Sequence, residues 1–429
     1  MKTILFPEKE RWDALSKRPA IDRTYLEEVV RDIIYKVKSE KDEAVSFFSM
    51  KFDGVPACNL KVSPDEIRNA ATQIPDELKA AIDLAKKNIE NFHSPQLRTE
   101  PPVETIKGVK CWRKSIAIEK VGLYIPGGTA PLFSTVLMLG IPAYLAGCNE
   151  IIICTPAGKD GRVNPLILYT AQQVGITEIF RVGGAQAIAA MAYGTETIPK
   201  VYKIFGPGNQ YVTKAKEVVQ QDGTAIDMPA GPSEALIIAD ESANPEFVAA
   251  DLLSQAEHGP DSQVVMLTNN KEVLEKVKAE VEKQLLNLPR KDIASRALKN
   301  SMLILFQSIE SCIGFSNRYA PEHLIINTAY PDSLAGKVIN AGSVFLGKFS
   351  CESAGDYASG TNHTLPTNGF ARNYSGVSVE SFLKTISFQE ISEEGIKNLG
   401  PAIELMAKAE SLDGHKNAVS VRLKSLQNV

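Results

Sequence analysis

Hydrophobic and polar positions repeat with a helical period from Asp22 to about Asn91. The run TYLEEVVRDIIYKVKSEKDEAVSFFSMKF is followed by SPDEIRNAATQIPDELKAAIDLAKKNIENF, whose Ser-Pro-Asp-Glu opening has the form of a capping box. These segments predict amphipathic helices that cover a sheet. Between residues 103 and 125 the period changes to alternation (VKCWRKSIAIEKVGLYI), which predicts strands, the last running into Pro126-Gly127-Gly128. The change of period marks a domain boundary near Val121.

From Val121 to Glu234 a unit of strand, glycine turn and helix recurs: VGLYIPGGTAPLFSTVLMLGIPAYLAG, EIIICTPAG with NPLILYTAQQVG, EIFRVGGAQAIAAMAYG, and KVYKIFGPGNQYVTKAKEVV. Near-continuous apolar strands in units of roughly thirty residues predict a parallel sheet covered on both faces. After DMPAGPSE a second set follows (ALIIAD, NPEFVAADLLSQAEHGP, QVVMLTN, KEVLEKVKAEVEKQLLNL, MLILF, EHLIINT) and predicts a second α/β sheet, completed by the N-terminal helices. The fold class is therefore α/β with two doubly wound, incomplete Rossmann-like domains. The expected division is an N-terminal segment at 1–20, a discontinuous α/β domain from 21–120 and 235–378, a second α/β domain at 121–234, and a charged helical tail at 379–429. Gly342 to Gly376 is too long and polar for an idle connection. The tail is amphipathic but foreign in pattern to both sheets, so it is expected to pack on another surface.

The net charge of −4 is spread evenly, with no basic stripe, which excludes a nucleic-acid partner. No segment is long and apolar enough to span a bilayer, so a cytoplasmic location is expected. The 6 cysteines form no CxxC pair and predict reduced thiols. A metal would then depend on the 5 histidines with carboxylates and amides.

The helix that ends in DLLSQAEHGP opens on Asn244-Pro245-Glu246 and stops at Gly259-Pro260. At 100° per residue Asp251, Ser254, Gln255 and His258 share one polar stripe. An imidazole and an amide oxygen on one helix face can hold a metal from one side, and they serve as well as simple caps. His258, His323, His363 and His415 all lie in short polar contexts at element ends, near Asp356 in ESAGDYASG only if the chain brings them together. Glu322 and His323 suit general acid/base work if both sit in the turn before LIINT, since neighbours on a strand face opposite ways. The glycine turns offer backbone N–H groups at helix starts, yet GxGxxG is missing and tight turns explain them equally. Spacing alone thus supports a two-domain α/β enzyme with a cofactor and a His-rich metal site as candidates.

The ordered motifs VGLYIPGGTAPLFSTVLM, VGGAQAIAAMAYGT, FGPGNQYVTKAK, DMPAGPSE, LLSQAEHGPDS, APEHL, GSVFLG, SAGDYASGTNHTLPT and ESLDGHKNAV resemble the histidinol dehydrogenase family from Val121 to Val419. Residues 1–120 match more loosely. The resemblance implies a zinc-containing homodimer that oxidises L-histidinol through its aldehyde to L-histidine with two NAD, the last step of histidine biosynthesis. It implies Gln255, His258, Asp356 and His415 as zinc ligands that also meet the substrate, with His415 and Glu410 supplied by the partner subunit. It further implies Glu322 and His323 as acid/base groups, Ser233, His323, His363 and Glu410 as substrate contacts, and Tyr124, Gln186 and Asn209 as NAD contacts. Two other readings stand beside it: a zinc hydrolase in which Glu322 activates water, and a metal-stabilised paralogue without activity, against which intact Glu322 and His323 argue.

Overall fold

The computed structural model describes residues 1–18, 23–54, 59–127 and 131–427, so Gly128 of the first glycine turn and Cys58 lie outside the described residues. Its strands are β1 (Lys2–Leu5), β2 (Val103–Ile106), β3 (Val109–Ala117), β4 (Lys120–Tyr124), β5 (Glu150–Thr155), β6 (Glu178–Arg181), β7 (Lys203–Phe205), β8 (Ala225–Ile226), β9 (Glu234–Ala239), β10 (Gln263–Thr268), β11 (Met302–Leu305), β12 (His323–Asn327), β13 (Ser343–Leu346) and β14 (Leu383–Ile391).

The repeating units of residues 121–234 build a parallel sheet in the order β6-β5-β4-β7-β8. Buried apolar side chains leave both of its faces. One face packs on the helices Phe133–Ala146 and Pro165–Gln173, the other on Gly184–Tyr193 and Gln210–Gln221. The first two crossovers step along the sheet in one direction and the last two in the other, so right-handed connections put the first pair of helices on one face and the second pair on the opposite face.

The N-terminal helices cover this sheet, and not the sheet of residues 235–378 that the sequence reading assigns them to. Leu26, Val30, Ile33, Ile34, Val37 and Phe48 of the segment Arg23–Asp53, two helices joined by a kink at Lys41, share a core with the alanine-rich helix Gly184–Tyr193. On the other face Ile67, Ile74, Ile82 and Ile89 join the core beneath Phe133–Ala146. An amphipathic stripe demands burial but does not say against what. The small side chains of Ala185, Ala189 and Ala192 leave a shallow surface that the larger stripe fills.

The second sheet is also parallel, in the order β1-β11-β10-β9-β12-β13. Residues 1–20 are more than a leading segment, because β1 extends this sheet at its edge in register Lys2↔Met302 to Leu5↔Leu305.

A third sheet, antiparallel in the order β14-β3-β2, corrects the expectation of a wholly helical tail. Residues 383–391 (LKTISFQEI) alternate as a strand does and pair along all of β3, from Leu383↔Ala117 to Ile391↔Val109. Phe388 stacks on Trp112 with ring centroids 5.5 Å apart, a cross-strand aromatic pair that a helix would not form. Beyond it the tail helices Glu393–Ala409 and Asp413–Ser425 pack on each other. No helix among the described residues is long and apolar enough to cross a membrane.

Candidate active site

In the first sheet the strand order reverses between β4 and β7, and the crevice outside the carboxyl ends of such strands is where open α/β sheets bind ligands. The second sheet departs from that habit. Glu234 opens β9 and His323 opens β12, and the two strands are paired with His323 opposite Ala235, so its polar groups gather at the amino ends of the strands. His363 bridges the two units. Its Nε2 lies 3.1 Å from Thr135 Oγ1, on the helix that follows β4, and its Nδ1 lies 2.9 Å from the Asp356 carbonyl oxygen. The neighbouring Asn362 is buried and donates through Nδ2 to the Met138 carbonyl oxygen at 2.6 Å.

Asn244 caps the helix Pro245–Ala256 by accepting from Glu246 N–H, as its Asn-Pro-Glu opening predicts. The helix ends at Ala256, so His258 stands just beyond it, with its backbone N–H on the Gln255 carbonyl oxygen at 3.3 Å. The short helix Glu352–Tyr357 places Glu352 and Asp356 four apart on one face. His258, Glu352 and Asp356 each bring one ligand atom within 4.8 Å of the others, a nitrogen-and-oxygen set that suits zinc. Asp356 Oδ1 is buried with no hydrogen-bond partner, a sign that something else is meant to meet it.

Gln255 is buried beside this group. One orientation of its carboxamide donates weakly to Glu322 Oε2 at 3.5 Å; the reverse orientation donates to Glu352 Oε1 and accepts from Glu234 N–H at 3.0 Å. The second matches donors to acceptors on both sides and is the better assignment. Glu352 also accepts from Ser254 Oγ at 3.1 Å. Its role was not legible in the sequence; its four-residue offset from Asp356 on a polar helix was the available signal.

Glu322 and His323 are both buried. Glu322 lies in the turn and His323 on the first strand position, so the two side chains reach the same space: His323 Nδ1 is 3.7 Å from Glu322 Oε2, and His323 Nε2 is 3.5 Å from Asp356 Oδ1. Burial pushes the Glu322 carboxyl up to about 8. Burial works against a charged His323, but the carboxylates of Glu322, Glu352 and Asp356 outweigh it and raise the imidazole to about 10. Burial holds His363 below its ordinary value. His323 Nε2 has no hydrogen-bond partner and points toward the Asp356 side.

The three glycine turns follow the carboxyl ends of β4, β6 and β7 in the first sheet. Tyr124 ends β4, is buried, and accepts from Gly184 N–H through its hydroxyl at 3.1 Å. Asn209 caps the helix Gln210–Gln221, accepting from Tyr211 and Val212 N–H. Gln186 is buried with neither amide atom hydrogen-bonded. Gly206 has φ 127°, and a Cβ there would strike the Tyr124 carbonyl oxygen, so only glycine allows this approach. Its turn is clamped from below: Gly206 N–H donates to Asp227 Oδ2 at 2.8 Å, the buried Lys216 ammonium donates to Gly206 O at 2.9 Å, and Lys216 and Asp227 form an ion pair. The unpartnered buried amide of Gln186 beside these helix starts suits a polar ligand such as a dinucleotide.

Of the residues singled out in the sequence, Gln255, His258, Glu322, His323, Asp356 and His363 converge within one chain. Ser233 is half-buried just before β9, its carbonyl oxygen accepting from Gln263 N–H at 3.1 Å. Glu410 and His415 are exposed around the turn that joins the tail helices, and His415 is not part of the metal-capable group.

Comparison with known proteins gives one consistent result. The family model described as histidinol dehydrogenase matches residues 16–423. Histidinol dehydrogenase of Bacteroides thetaiotaomicron is 58% identical over 427 residues, covering 100% of both chains. That of Salmonella typhimurium is 51% identical over 424 residues, 98% of this chain and 96% of the relative. The crystal structure of histidinol dehydrogenase from Elizabethkingia anophelis superposes with a TM-score of 0.97 at 57% identity, covering 100% of this chain and 99% of that one.

Proposed function

Since the chain belongs to the histidinol dehydrogenase family and is thereby an oxidoreductase of histidine biosynthesis, we propose that it performs both oxidations, L-histidinol to the aldehyde and the aldehyde to L-histidine, with two NAD. The observation that carries this reading is the buried Glu322–His323 pair, set against the His258–Asp356 group with His323 Nε2 facing Asp356 Oδ1 at 3.5 Å and neither atom hydrogen-bonded.

Zinc would be held by Gln255, His258 and Asp356 with His415 of the partner subunit, and it would supply a Lewis acid that fixes the substrate's imidazole and amino nitrogens. NAD, held by Tyr124, Gln186 and Asn209, would accept the hydride. His323, whose Nδ1 is held at the Glu234 carbonyl oxygen, would use Nε2 to take the hydroxyl proton as hydride leaves. Glu322, poised near neutrality by burial, can then remove a proton from the water that hydrates the aldehyde. His363 and Ser233 line the substrate position. Holding one substrate at the same residues through both oxidations would keep the reactive aldehyde from escaping.

We further propose a homodimer formed through the tail. Leu405 and Met406 are 71% and 66% exposed on a helix next to Glu410, an apolar surface that a two-fold partner would cover. The enzyme is read as cytoplasmic, where Cys111, Cys148, Cys154, Cys312 and Cys351 stay reduced.

The direct test is NADH absorbance on adding L-histidinol and NAD, paired with metal analysis; a zinc protein that forms no NADH would leave the hydrolase reading in its place. The dimer has its own test. Inactive His415→Asn and inactive Glu322→Gln proteins, dissociated and reassociated together, are expected to regain about a quarter of wild-type activity, because half of randomly paired dimers are mixed and each keeps one intact site. A mixture that stays inactive while mass measurement shows heterodimers means that the tail serves its own subunit.

A further inference from the structure

Beneath the acid/base pair lies an ion pair, between Arg18 and the closing glutamate of DMPAGPSE, to which the proposed chemistry gives no role. Glu234 opens β9 and is buried, with its side chain 1% exposed. Arg18, from the N-terminal segment, grips it with two parallel bonds: Nε donates to Oε2 at 2.7 Å and a terminal nitrogen to Oε1 at 2.8 Å. The guanidinium lies over the Tyr319 ring, 3.5 Å from its centroid, and donates again to the carbonyl oxygen of Ser16 at 2.9 Å. Bidentate geometry over an aromatic face fixes orientation as well as charge, which a lysine cannot reproduce.

What this pair holds is the backbone of Glu234. Its N–H is shared between Glu322 Oε2 at 2.9 Å and the Gln255 carboxamide oxygen at 3.0 Å, and its carbonyl oxygen lies 3.3 Å from His323 Nδ1. One peptide segment therefore sets the rotamer of Glu322 and the tautomer and ring orientation of His323, leaving Nε2 as the free nitrogen. We propose that Arg18 and Glu234 are positioning residues for the proton-transfer pair, acting through the Glu234 main chain. This rests on the reading of Glu322 and His323 as acid and base. Misplacement by about 1 Å is enough to cost on the order of 100-fold in rate.

The variants Arg18→Lys, Arg18→Met and the double variant Arg18→Met/Glu234→Gln, assayed with L-histidinol, NAD and zinc alongside thermal melting, test it. Arg18→Lys keeps the charge and should fold; its kcat is expected to fall at least tenfold with KM for L-histidinol within threefold of wild type. Arg18→Met leaves a buried carboxylate unpaired and should melt at a lower temperature. The double variant removes that charge, so its Tm should recover while kcat stays low. Recovery of kcat together with Tm in the double variant, or wild-type kcat in folded Arg18→Lys, overturns the proposal and leaves the pair a structural one. If instead Glu322→Gln turns over both substrates like wild type, the acid/base reading itself fails, whatever the Arg18 variants do.

Discussion

Glu322→Gln is expected to slow oxidation of the aldehyde by about 10²- to 10⁴-fold, the usual contribution of a positioned general base, while alcohol oxidation falls far less. The reasoning starts from the environment of the group. The carboxyl is buried, accepts Glu234 N–H at 2.9 Å and is pushed up to about 8 by loss of water. A glutamine of the same size can accept that N–H through its carbonyl oxygen, and His323, which gives up its 3.7 Å approach to the Glu322 carboxylate, keeps the one to Asp356 at 3.5 Å. The fold should survive. What disappears is the ability to take a proton from hydrating water, a demand that arises only in the second oxidation. A rapid-mixing experiment from L-histidinol should therefore show one NADH per site and then a stall. Equal loss in both half-reactions, measured separately from alcohol and aldehyde, would remove this division of labour.

His258→Asn is expected to abolish zinc binding and turnover together while leaving the protein folded. The helix before His258 is capped by Asn244 and buried through Val248, Ala249, Leu252 and Leu253, none of which depends on the imidazole. His258 itself is exposed, so its loss leaves no cavity in the core. A ligand that binds only the folded state stabilises it by about 2.7 kcal/mol at one hundred times its Kd. Zinc added to the stripped wild-type protein should raise the Tm, and zinc added to the variant should not. A variant that keeps a full complement of metal, or a stripped wild-type enzyme with full activity, would show that His258 and the metal do not position the substrate.

The parallel sheet of residues 121–234 was legible because each strand, glycine turn and helix is encoded within about thirty consecutive residues. The same holds for the capped helix that carries Gln255, and for the turn that lets Glu322 and His323 share one space. The misread elements depend on distant partners. Residues 383–391 pair with a strand that begins at Val109, and the charged helices around them hid a short alternation. The N-terminal helices announced a buried stripe without naming the sheet it covers. Arg18 and Glu234, 216 positions apart, meet only in the folded chain, as do Thr135 and His363. Glu352 stood one turn from Asp356 in plain view, but a glutamate at a helix start is ordinarily a dipole effect, and only its burial marks it out.

The edge position of β1 also has a bearing on how the chain is made. Lys2 pairs with Met302, so the first strand leaves the ribosome some 300 positions ahead of its partner. At about 5–20 residues per second it waits roughly 15–60 s. The five-stranded sheet, with the segment Arg23–Asp53 on its back, has all its residues by Ile226 and can form during that wait. The six-stranded sheet can close only once Leu346 of β13 has been made, so the framework that carries Glu322 and His323 takes shape well after the five-stranded one.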